Sequence, residues 1–115
     1  METSKKHCML TIVEPVNLLV SDEYDRAAKL HGAVFASPHE GYGVIAEEVL
    51  EVQNENANIV SGCHTLLAFI QQEDMQKVMD TADAIRDAAV NAAAECIQVA
   101  AMCEKMVRTV MEGKT

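Results

Sequence analysis

Glu47, Glu48 and Glu51 stand at the i,i+4 and i,i+3 spacings that bring side chains together on a helix, and Glu55 extends the same acidic side. Like charges at those spacings repel. No Lys or Arg occurs between His39 and Lys77, so a divalent cation is a physically reasonable counter-ion, against the plainer alternative of an acidic face in water. A second polar group lies in AAVNAAAECIQVAAMC, from Ala88 to Cys103. Its strongly polar members Asn91, Glu95 and Gln98 fall within about 60° of one another on a helix. Burying Glu95 there requires a metal ion or a Lys/Arg opposite it; otherwise the stripe faces water and the alanines pack behind it. Antiparallel packing of the two segments lets the stripes meet. A binuclear or mononuclear Mg²⁺ site held between them binds phosphate oxygens and activates water for attack on phosphorus. Di-iron chemistry of the ferritin kind uses Glu-x-x-His pairs, and the sequence contains none, which favours Mg²⁺ or Mn²⁺.

The elements that must position these residues read as helices. Residues 1–14 read as a flexible terminus and 15–113 as a single all-helical domain. Pro15 suits the first turn of a helix with Leu18, Leu19, Tyr24, Ala27, Ala28 and Leu30 on its apolar face and Gly32 as its stop; a restart after Ser21 is the alternative. Phe35, in the connection that follows, either plugs the end of a bundle or lines a small pocket. Ser37-Pro38-His39-Glu40 is a helix start, with Ser37 as N-cap, Pro38 at the first position and Glu40 completing a capping box. The second helix continues to about Asn56, with Gly41 and Gly43 permitting close contact. Ser61-Gly62 then either interrupts or loosens the pattern before the apolar face of Leu66, Leu67, Phe69 and Ile70. From about Asp74 a long helix runs to near Gly113, with a break at Thr81 as an option. The fold class is therefore all-α, an antiparallel bundle of long helices.

A chain of 115 residues suits one domain, and its apolar half permits only a modest core. Long helices with broad apolar faces on so short a chain imply association. The net charge of -9 and the lack of any basic block exclude a nucleic-acid polymer as partner. No apolar run is long enough to span a membrane, and no signal peptide is present. Cys8, Cys63, Cys96 and Cys103 have no CxxC spacing. They read as reduced thiols, Cys96 and Cys103 as small core residues, in a cytoplasmic protein.

HEGYGVIAEEVLE, from His39 to Glu51, and AECIQVAAM, from Ala94 to Met102, resemble the all-α nucleoside triphosphate pyrophosphohydrolases, the MazG-like superfamily, and especially its small phage-type and bacterial members. The resemblance covers roughly residues 24–108 and is specific in these two blocks. The family motif, Glu-Glu-x-x-Glu and then Glu-x-x-Asp, is matched by Glu47-Glu48-Val49-Leu50-Glu51 and by Glu95-Cys96-Ile97-Gln98. It implies Mg²⁺ held by Glu48, Glu51, Glu95 and the residue at 98, with Glu47 and Glu48 serving catalysis, and cleavage of a nucleoside triphosphate between its α- and β-phosphates. It also implies a helical hairpin extended by further helices and assembled as a homodimer or homotetramer. Gln98 departs from the Asp of the motif, and the spacer between the blocks is longer than usual. His39, Lys77, Arg86 and Lys105, together with Arg108, are the candidates to hold the triphosphate. The alternative is a non-catalytic helical oligomer that binds a nucleotide or a protein.

Overall fold

The computed structural model describes residues 2–115, with side chains from Thr11 onward. It is all-α, with three long helices: α1 (Glu2–His31), α2 (Pro38–Gln71) and α3 (Met75–Met111). Pro15 lies inside α1 and not in its first turn, and α1 runs through Ser21 without a restart. The first ten residues of the expected flexible terminus, Cys8 among them, fall outside the residues whose side chains are described.

The chain forms two compact units, Met1–Ala46 with Ile97–Thr115, and Glu47–Cys96. The first holds the buried apolar residues. Val20, Tyr24 and Ala101 make its core, with Ala28, Ile97, Ala100 and Met102 packed against them. The left-handed Gly32 ends α1, its N–H donating to the Ala28 carbonyl. The Tyr24 hydroxyl then donates to the Ala33 carbonyl at 2.8 Å, tying the connecting loop to the helix it leaves. Phe35 is buried as a plug, and its backbone N–H donates to Thr109 Oγ1 at 2.9 Å; that hydroxyl in turn donates to the Lys105 carbonyl. Ser37 caps α2 as expected, its Oγ accepting from the Glu40 N–H at 3.2 Å. One turn on, a Cβ at Gly41 would stand 2.6 Å from Met106 Cε and 2.7 Å from Phe35 Cδ2, so the contact depends on a residue without a side chain. Gly43 has open space around it, so only one of the two glycines serves close packing.

The second unit is an antiparallel hairpin made by the C-terminal part of α2 and the N-terminal part of α3. Its turn is short because two caps share a residue. Glu73 adopts a left-handed φ of 58°. The Asp74 N–H reaches back to the Phe69 carbonyl, and the Glu73 N–H to that of Ile70, the pair of bonds that ends a helix in a Schellman turn. Asp74 Oδ1 then accepts from the Lys77 N–H at 3.2 Å as the N-cap of α3. Neither Ser61-Gly62 nor Thr81 breaks its helix. A Cβ at Gly62 would meet Ile85 Cγ1 at 2.6 Å, so this glycine is a point of close approach between α2 and α3 inside a continuous helix. Within Glu47–Cys96 no residue is fully buried. Cys63, Cys96 and Cys103 are free and exposed, which corrects the placement of Cys96 and Cys103 in a core.

Candidate metal centre

Glu48 and Glu51 lie one turn apart on α2, and Glu95 projects from α3 on the other side of the same hairpin. One carboxylate oxygen from each lies within 4.8 Å of the other two. Around a Mg²⁺ ion at about 2.1 Å, opposite ligands stand about 4.2 Å apart and neighbouring ones about 3.0 Å, so the three oxygens would draw closer together to share one ion. The set contains only hard oxygen donors, with neither imidazole nor thiolate, which suits Mg²⁺ or Mn²⁺ and not a soft metal. Glu48 and Glu95 are half-buried and Glu51 is exposed, so the cluster opens at the surface and can chelate a divalent cation.

The electrostatics of the cluster are those of carboxylates held too close. Glu95 is pushed up to about 7, first by its hydrogen bond with Glu51, then by partial burial and by the charges of Glu51 and Glu48. Glu48 is also raised above the ordinary carboxylate range, mainly by burial and then by the charge of Glu51, with Glu47 adding to it. The charged groups that shift both residues are all other carboxylates. Part of the repulsion is relieved by retained protons, and a cation would relieve it more completely.

The remaining expected residues fall elsewhere. Glu47 is exposed beside Glu48 and acts on it through charge, but is not one of the three that converge. Gln98 is half-buried three residues beyond Glu95 on α3 and is engaged in an interaction of its own. The hairpin carries two cationic side chains, and each is held locally. Lys77 pairs with Asp74 at 3.8 Å and lies over the Phe69 ring, while Arg86 pairs with its neighbour Asp87. Lys77 is also eighteen residues before Glu95 on one straight run of helix, about 27 Å along the axis. His39 is exposed in the first turn of α2. Lys105 is buried, with its ammonium 4.5 Å from the centre of the Phe35 ring, and Arg108 lies over Tyr24 at 4.4 Å. Both therefore have a packing role in the first unit.

An open depression of about 410 Å³ also lies along the hairpin, between Glu55, Asn58 and Gly62 of α2 and Ile85, Ala88 and Asn91 of α3. Of its lining, Asn91 stood out in the sequence as part of a polar stripe, whereas the role of Gly62 becomes visible only once Ile85 is opposite it. No described helix is long and apolar enough to cross a membrane. No family model, curated protein or solved structure matches this chain.

Proposed function

We propose that the protein is a Mg²⁺-dependent hydrolase of nucleoside triphosphates that releases the monophosphate and pyrophosphate. The observation that carries this reading is the convergence of Glu48, Glu51 and Glu95 from two helices within 4.8 Å. Three carboxylates in mutual repulsion are an unfavourable arrangement unless a cation is their normal companion. Mg²⁺, when bound, supplies charge neutralisation for phosphate oxygens and for the water that attacks them. Glu48, Glu51 and Glu95 hold that ion in this reading. In the same reading Glu47, exposed next to Glu48, orients the attacking water and accepts its proton. The resemblance in the two motif blocks narrows hydrolysis to the bond between the α- and β-phosphates.

The test is pyrophosphate release from a panel of canonical and modified nucleoside triphosphates with Mg²⁺ or Mn²⁺. Release is expected from at least one of them, and Glu48→Gln or Glu95→Gln should reduce it by about 100-fold or more. A folded protein that releases no pyrophosphate from any of the panel with either metal overturns the proposal, and leaves the non-catalytic helical module in its place.

A further inference from the structure

We infer that the outer side of the last turns of α3, in the first unit, packs antiparallel against the same turns of a second copy of the chain, about a two-fold axis between Lys105 and Met106. The polarity of this segment is inverted. Its inward side is Ala101, Lys105 and Thr109, all buried, so an ammonium and a hydroxyl are packed inside the unit. Its outward side is apolar. Ala100, Cys103, Val107 and Met111 line an open depression of about 630 Å³, with Glu104 and Arg108 along it. Val107 is 58% exposed and Met111 80%. A helix that turns its polar residues to the core and its apolar ones outward has a second surface to cover.

The charges identify the cover. Glu104 and Arg108 are one turn apart, and among the described residues neither is joined by a salt bridge within its own chain. The Arg108 guanidinium is held over the Tyr24 ring at 4.4 Å, which leaves its N–H groups able to donate. A groove with one acid and one base selects neither a strongly basic nor a strongly acidic partner. It is, however, complementary to itself in reverse. With the axis between Lys105 and Met106, Ala100 stands opposite Met111 of the second copy, a small side chain against a long one, and Glu104 stands within one residue of Arg108. The two-fold makes each pairing twice. Residues 1–46 and 97–115 contain eight Asp or Glu and seven Lys or Arg, a net of -1, so charge does not oppose this contact. Three helical turns are small beside the roughly 1,200 Å² that a stable interface buries, so the contact acts together with other apolar faces of the chain in one assembly.

The experiment is sedimentation velocity of the full chain at one fixed salt concentration, unmodified and as Glu104→Arg and Arg108→Glu, with helical content measured for each. Either reversal sets like charges against each other across the axis and should weaken association by about tenfold. An equimolar mixture of the two variants restores opposite charges in every pair, and should associate within about threefold of the unmodified protein. Maleimide labelling of Cys103, located by peptide mass, reports the face itself. In the unmodified protein it should slow as protein concentration rises through the association midpoint, and in Glu104→Arg it should not slow over the same range. If Arg108→Glu fails to fold without its stacking on Tyr24, Glu104→Arg and the Cys103 labelling decide. Reversals that associate like the unmodified protein, a mixture no tighter than either variant alone, or Cys103 labelling that ignores concentration overturns the inference. An unmodified chain that stays monomeric overturns it as well.

Discussion

Glu48, Glu51 and Glu95 are held close enough that each protonation state of the cluster has a different stability, and this makes the site testable without a substrate. If a cation is their partner, Mg²⁺ at about ten times its Kd adds about 1.4 kcal/mol, which raises the melting temperature by roughly 5 °C for a chain of this size. Glu48→Gln should lose most of that rise, and an unmodified protein whose melting temperature ignores a wide Mg²⁺ titration has no such site. The pH dependence has a definite sign. Glu95 is raised from 4.5 to about 7, so between those values the folded chain keeps a proton that the unfolded chain has lost. Its contribution is present below the lower value and fades as pH rises through the upper one. Without metal, Glu95→Gln should melt with the unmodified protein at pH 5 and above it at pH 8. With saturating Mg²⁺ at pH 8 the order should reverse, because the ion then needs the carboxylate that the variant lacks. Thermal melts at the two pH values, with chelator and with Mg²⁺, check both halves; a Glu95→Gln protein that is less stable than the unmodified one at pH 8 in chelator contradicts the repulsion.

The elements were legible wherever the signal was local. Ser37 before Pro38, Gly32 after His31 and the apolar spacing from Met75 onward depend on neighbours a few residues away, and each falls within a residue or two of the observed helix limits. What could not be read depended on distant partners. Ser61-Gly62 carries a local signal for a break, and the helix continues because Ile85 packs against the bare backbone at Gly62. Lys105 reads as a candidate to hold phosphate until the buried Phe35 is found with its ring centre 4.5 Å from the ammonium. The glutamate cluster belongs to both cases. The spacing of Glu48 and Glu51 is local, while the approach of Glu95 required the hairpin. The glycines provide a matched test of this difference. Gly41→Ala should destabilise by about 1–3 kcal/mol, because the new methyl group overlaps Met106 and Phe35. Gly43→Ala, two residues away in open space, should stabilise by about 0.5–1 kcal/mol through helix propensity alone. Glu73→Gly should add roughly 1 kcal/mol by relieving a left-handed residue in the turn. Denaturant melts decide all three, and equal effects of alanine at 41 and 43 would remove the packing argument.

At the scale of the whole molecule, charge and burial are distributed unequally. Residues 47–96 contain ten Asp or Glu against two Lys or Arg, a net of -8, so the rest of the chain accounts for only -1 of the total of -9. The same hairpin has no fully buried residue. Val49, Val60 and Leu67 share one face of α2 at spacings of eleven and seven, and Met75, Met79 and Val90 share one face of α3; all six are exposed. A pair of helices that buries no side chain completely is marginal alone, and apolar stripes of this length are normally covered. A second copy of the chain is the expected cover, in a homodimer or homotetramer, but two hairpins of charge -8 repel. Apolar burial and charge therefore oppose each other, and the balance must shift with salt. The screening length falls from about 30 Å at 0.01 M to about 10 Å at 0.1 M, while the apolar term hardly changes over that range. Association should accordingly strengthen as NaCl rises from 10 to about 150 mM, and strengthen further with Mg²⁺ if the ion neutralises the glutamates. Leu67→Glu adds charge to the apolar stripe and should shift the equilibrium to monomer at every salt concentration, with helical content retained because the position is on the outside of α2. Sedimentation velocity at micromolar concentration reads these outcomes directly. A single monomeric species at all salt and Mg²⁺ concentrations would reject self-association and require a different cover for the stripes.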